Sequence, residues 1–143
     1  MKANELMIGD WVMCENKYYQ YYAPELNIHN DISDDLWMKK DSMGYYTGFN
    51  DIEPIPLTPK ILEKNGWKKE FDKKPYMTFY HLEDEKYWLM WCISEHTLDI
   101  QRQNKTLLDQ YNLCAERVVI ACNYIHELQH ALRLCGIDKE IVL

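Results

Sequence analysis

No run of the chain approaches the ~18 consecutive apolar residues that a membrane span requires, so no membrane association is expected. The five glycines are scattered, which leaves no Gly-rich loop to cradle a phosphate, and no Ser or Cys sits in a nucleophile-elbow context. The five cysteines (Cys14, Cys92, Cys114, Cys122, Cys135) are spaced 78, 22, 8 and 13 residues apart. Without a CxxC pair they read as buried thiols of a reducing cytoplasm, not as zinc or redox ligands. The opening Met1-Lys2-Ala3-Asn4-Glu5 meets a charge and a polar residue before any apolar stretch, so no secretory leader is expected.

An excess of Lys and Arg is missing as well. Residues 1–57 hold ten acidic and four basic side chains, and residues 58–143 hold thirteen and twelve. A protein that grips nucleic acid through its phosphates concentrates basic residues to displace counterions, and neither half does so; direct nucleic-acid binding is not expected. The acidic side chains gather most densely from Glu25 to Asp41, where Asp31, Asp34 and Asp35 also fall. A calcium loop is excluded there, because Leu36 stands where such a loop needs Gly and Ser42 where it needs a bidentate Glu.

The chain is 143 residues long and 47% hydrophobic, enough for one core or two very small ones. Leu6–Met13 reads as a strand, a Gly-Asp turn and a second strand, as in small SH3-like barrels, and Lys17–Tyr22 as a further strand. Residues 24–50 are turn-rich and polar, a long excursion from a small twisted sheet. The prolines of Ile52-Glu53-Pro54-Ile55-Pro56-Leu57 impose an extended link. Thr58 caps a helix with Pro59 at its first position, and Gly66 ends it. Tyr76–Leu82 and Tyr87–Ser94 form a hairpin around Glu83-Asp84-Glu85-Lys86. Val118–Ala121 reads as a strand, and Tyr124–Cys135 as a helix capped by Asn123 and ended by Gly136. The expected class is α+β: a small SH3-like or twisted β unit over 1–53, a link over 54–57, and an α+β unit with a hairpin and two helices over 58–143, packed together as one body.

One motif names a chemistry. His126-Glu127-Leu128-Gln129-His130 is HExxH; in a zinc hydrolase the two His bind one metal and the Glu takes a proton from the metal-bound water. Three features oppose that reading. Thirteen residues follow His130, too few for a downstream ligand helix, which leaves Asp138, Glu140, His29, His81 or His96 as third ligand. On a helical wheel Tyr124, Ile125, Leu128, Ala131, Leu132 and Cys135 share an apolar sector while His126, Gln129, His130 and Arg133 lie opposite, facing water. Arg133, one turn from Gln129 and His130, sets a fixed cation beside the metal position. The motif therefore reads as an ordinary amphipathic helix with a surface His pair, and no cofactor is expected.

Nine of the nineteen aromatics lie in residues 1–57. In Tyr18-Tyr19-Gln20-Tyr21-Tyr22 both faces of a strand carry tyrosine, so one face is exposed or covered by the excursion. Exposed tyrosine among acids composes a protein-binding surface, and Tyr19, Tyr21, Asp31, Asp34, Asp35 and Trp37 are the contact residues this reading selects, for a basic protein partner.

The segments KANELMIGDWV, IEPIPLTPKILEKNGWKK and NYIHELQHALRLCGIDKEI resemble a family of small uncharacterised proteins of phages, prophages and mobile elements of Bacteroides-type gut bacteria. His126, Leu128 and Gln129 match the family's closing-helix pattern, whereas Glu127 and His130 fall at positions the family does not fix. The resemblance implies that HExxH is incidental here. The function expected is that of a non-catalytic cytoplasmic accessory protein that binds a host or phage protein; the alternative is a minimal zinc hydrolase with His126 and His130 as ligands and Glu127 as base.

Overall fold

A computed structural model describes residues 5–26, 32–40, 43–48, 51–71, 77–103 and 116–143. The chain divides into two compact units, one of Met1–Pro56 with Tyr124–His130, the other of Leu57–Asn123 with Ala131–Leu143. The expected second unit, 58–143, is therefore not continuous: the start of the closing helix belongs with the amino-terminal strands. No local pattern in the sequence marks that return.

The first unit is an antiparallel sheet of β1 (Trp11–Cys14), β2 (Lys17–Leu26), β3 (Ile32–Lys40), β4 (Met43–Gly48) and β5 (Glu53–Pro54), in the order β4-β3-β2-β1-β5. Glu15 and Asn16 both have positive φ, at 48° and 59°, the geometry of a two-residue turn whose twist suits a hairpin, and Cys14 duly faces Lys17. The polar excursion expected over 24–50 is instead strand for most of its length, with register shifts flanking Ala23 and Pro24 in β2. Such irregularities are where a strand tolerates proline. Leu6–Ile8 is not a strand; β1 begins at Trp11. The proline-containing link joins the sheet only at its start, where Glu53 and Pro54 face Met13 and Val12. Val12, Cys14, Tyr19, Tyr21 and Ile52 form the core, with Leu6 packed against it.

The second unit is a five-stranded antiparallel meander: β6 (Lys68–Phe71), β7 (Thr78–Glu83), β8 (Tyr87–Cys92), β9 (Thr97–Arg102) and β10 (Glu116–Ala121), in the order β10-β9-β8-β7-β6. The expected hairpin is β7–β8, with Leu82 opposite Leu89. Tyr80, Leu82, Leu89, Trp91 and Leu98 are buried, and cross-strand pairing puts them on one face. The buried Trp91 ring donates its Nε1–H to the Cys122 carbonyl.

Helix α1 (Pro59–Lys64) has the predicted punctuation, Thr58 Oγ1 accepting from the Ile61 N–H and Pro59 opening the first turn. Helix α2 spans Ile125–Leu134. Both end in the same motif. Gly66 and Gly136 have φ of +81° and +68°, and the following residues, Trp67 and Ile137, donate to Leu62 and Leu132 carbonyls five residues back, the Schellman arrangement that favours glycine. Of the cysteines described, Cys14, Cys92 and Cys122 are buried free thiols and Cys135 is half-buried. No helix among the described residues is long and apolar enough to cross a membrane.

Candidate functional site

The HExxH segment lies in the first unit together with the turn that leads into β1. That turn closes on Asp10: the Asp10 N–H donates to the Met7 carbonyl at 3.0 Å, and Asp10 Oδ2 accepts from the Met7 N–H at 2.7 Å. Asp10 is 0% exposed. A carboxylate taken fully out of water needs strong compensating partners, and the second one comes from α2. His130 Nε2 lies 2.6 Å from Asp10 Oδ2. Since an ionised carboxylate only accepts, Nε2 carries the proton and donates it.

Gln129 supplies the next bonds. Its Oε1 accepts from the Trp11 N–H at 2.9 Å and its Nε2 donates to the Gly9 carbonyl at 3.1 Å. One carboxamide thus pairs with a strand's backbone on both sides of residue 10, as a neighbouring peptide group would. Gln129 is 6% exposed, so both bonds are made where water offers poor competition.

Glu127 points back along its own helix. Its Oε2 accepts from the Tyr124 N–H at 3.1 Å, satisfying one of the orphan donors of a helix start as the glutamate of a capping box does. Asn123, expected as the cap, instead uses its carbonyl to accept from the Leu57 N–H. The helix begins one residue later than that expectation, with Tyr124 in the cap position.

His126 is 6% exposed, and its Nδ1 is buried without a hydrogen-bond partner. Its ring is stacked on Tyr124, with centroids 5.8 Å apart and planes 10° from parallel, and meets His130 edge-on at 5.8 Å. Burial holds its pKa below the ordinary histidine value, although the carboxylates of Glu127, Asp10 and Glu5 oppose this. The same surroundings act on Tyr21, whose hydroxyl pKa is raised by burial and then by Asp10. A groove of about 440 Å³ opens here, lined by Glu5, Pro54, Tyr124, His126, Glu127 and His130.

The predicted surface His pair is thus corrected. The apolar sector is buried at Ile125, Leu128, Ala131 and Leu132, but His126 and Gln129 on the opposite sector are buried too. The wheel allows one buried face and has no means of seeing a turn more than a hundred residues away.

These atoms do not suit zinc. His130 donates through Nε2 to a buried carboxylate, the Glu127 oxygen caps the helix, and His126 Nδ1 is enclosed. No group of three or more His, Cys, Asp or Glu among the described residues is placed to hold a metal ion. A catalytic zinc needs three such ligands and an open position.

The expected partner-contact residues divide. Tyr19 and Tyr21 are 8% and 6% exposed and belong to the core, whereas Tyr18 is the exposed ring, at 43%. The reason is register: Tyr19 faces the buried Val12 across the β1–β2 pair, and opposed residues share a face. Asp34, Asp35 and Trp37 lie in strand β3, Trp37 opposite Tyr46 and Asp35 opposite Gly48. Asp31 lies outside the described residues. Comparisons with protein-family models, with curated proteins and with solved structures return no match.

Proposed function

We propose that this is a non-catalytic accessory protein of phage or mobile-element origin that binds a host or phage protein in the bacterial cytoplasm. One observation carries the reading: three polar side chains of the HExxH segment are engaged in holding the first unit, Glu127 on the helix start, His130 on Asp10 and Gln129 on the backbone at Gly9 and Trp11, while His126 is buried. The only motif that suggested an enzyme therefore has a structural explanation. Free thiols at Cys14, Cys92, Cys122 and Cys135 accord with a reducing compartment. The sheet order β5-β1-β2-β3-β4 supports reading the first unit as SH3-like, with a short last strand returning to the first.

The zinc-hydrolase alternative is favoured only by the proximity of the two imidazoles, and the bond from His130 to Asp10 opposes it. The test has two arms. Elemental analysis of untagged protein is expected to find zinc far below one per chain; about one zinc per chain, lost on His126→Ala, would revive the hydrolase. In-cell crosslinking is expected to capture a protein that the double charge reversal Asp34→Lys, Asp35→Lys releases. Capture unchanged by that reversal counts against β3 as the contact, and no capture at all counts against the accessory role.

A further inference from the structure

We propose that the groove at the start of α2 receives the guanidinium group of an arginine side chain presented by the protein partner. The inference rests on the accessory reading above and gives the partner a chemistry and a place on the first unit.

Charge comes first. Glu5 and Glu127 line the groove, and Asp10 lies behind His130. Of the two imidazoles in the lining, burial keeps His126 from taking a proton readily, and His130 is paired with Asp10. The lining holds no Lys or Arg, so a cation is the complementary guest and an anion is repelled.

A second feature is independent of charge. His126 is more than nine-tenths buried, its ring lines the groove, and its Nδ1 has no hydrogen-bond partner. With its Nδ1 enclosed, the ring offers a guest an aromatic surface rather than a hydrogen-bonding atom.

Shape then selects among cations. Tyr124 and His126 both line the groove, and a planar guanidinium stacks on an aromatic face more readily than an ammonium does. Guanidinium also presents five donors in one plane and is the less strongly hydrated of the two, which suits a groove lined by two carboxylates. Pro54 provides apolar surface for the methylene stem. The volume of about 440 Å³ lies in the range of ordinary ligand pockets. A divalent metal is not the guest, because no three ligating groups among the described residues are placed to share an ion.

The test is NMR titration of the isotope-labelled full chain with Nα-acetyl-arginine N-methylamide. Saturable shifts are expected at Glu5, Tyr124, His126 and Glu127, with Kd on the order of millimolar for a single side chain. Glu5→Gln, at an exposed position, is expected to weaken binding about threefold or more without disturbing the rest of the spectrum. The lysine analogue should bind more weakly, and the neutral citrulline analogue should give no saturable shift. Shifts that are absent, map elsewhere, persist with citrulline or ignore Glu5→Gln overturn the proposal. Free arginine binding about tenfold more tightly than the blocked compound would assign the groove to a small guanidine and overturn the side-chain assignment. Crosslinking separates the two readings: capture that persists without groove shifts sinks this inference alone, and groove shifts without any captured protein overturn the accessory role and with it the assignment of the guest to a partner.

Discussion

Each unit fastens a distant stretch of backbone with one buried carboxamide, and the two fastenings differ in their company. In the second unit Asn65, just past the end of α1, donates to the Ile61 and Val142 carbonyls and accepts from the Val142 N–H. In the first, Gln129 takes the Trp11 N–H and gives to the Gly9 carbonyl. Asn65 makes neutral hydrogen bonds to an exposed chain segment, since Val142 is half out of the fold. Gln129 stands beside the hydrogen-bonded His130–Asp10 pair and the His126 ring with its unpartnered Nδ1. The difference teaches that a buried polar stripe on a helix can be a local closure device in one place and the edge of a charged site in another.

The largest expected effect breaks the member of that comparison with no counterpart. Asp10→Ala removes the acceptor of both His130 and the Met7 N–H and is expected to destabilise the first unit by about 3 kcal/mol. This is the lower end for breaking a buried pair, because the partly exposed His130 can reach water. Hydrogen exchange resolved by unit measures it, and protection in the second-unit strands should change much less.

Next come the two carboxamides themselves. Gln129→Ala leaves the Trp11 N–H and Gly9 carbonyl unpaired and is expected to cost about 2–3 kcal/mol. Asn65→Ala is expected to cost about 1–2 kcal/mol, since the groups it frees on exposed Val142 can turn to water. Urea denaturation of the two variants orders them; equal costs, or a larger one for Asn65, would erase the contrast drawn between the units.

Why one of these helices was legible from sequence and the other only in part follows from where the partners lie. The signals that define α1, namely Thr58, Pro59 and Gly66, act within a few residues of the helix. The apolar stripe of α2 and its glycine stop were legible for the same reason, as was the β7–β8 hairpin. The partners of Gln129 and His130 sit 118 to 120 residues away, so a polar stripe that is satisfied looks the same in sequence as one that is solvated. The tyrosine strand shows a different limit. That Tyr18 would fall on one face and Tyr19 and Tyr21 on the other was legible from alternation. Which face was buried was not, because Trp11-Val12-Met13-Cys14 is apolar on both sides and only the pairing of Val12 with Tyr19 decides it.

A pH series sharpens the comparison further. Burial depresses the folded-state pKa of His126, so the unfolded chain binds the proton more readily. This contribution to stability is complete above the unfolded histidine value of about 6.5 and is lost as pH falls from there through the depressed folded value. Thermal unfolding followed from pH 8 towards pH 5 should show the first unit weakening below about 6.5, and His126→Gln should flatten that part of the curve. The surroundings of Asn65 hold no such group among its bonded partners, so protection of Val142 and Ile61 should follow pH less steeply. A wild-type curve that His126→Gln leaves unaltered would remove the histidine from the account of the first unit.

The smallest expected effect bears most directly on what the motif is. Glu127→Gln preserves an oxygen that accepts from the Tyr124 N–H and removes only the charge, so it should cost about 0.5 kcal/mol, the scale of a carboxylate at a helix start. Glu127→Ala, which also removes the acceptor, should cost about 1 kcal/mol. A helix-capping glutamate therefore yields a graded pair, Gln mild and Ala worse, readable in thermal denaturation. A general base gives another pattern: the amide cannot take up the proton, so Gln and Ala would abolish hydrolysis alike while their stabilities still differed. Stability graded by the capping bond, with no hydrolytic activity for either substitution to remove, is the outcome that keeps Glu127 a part of the fold.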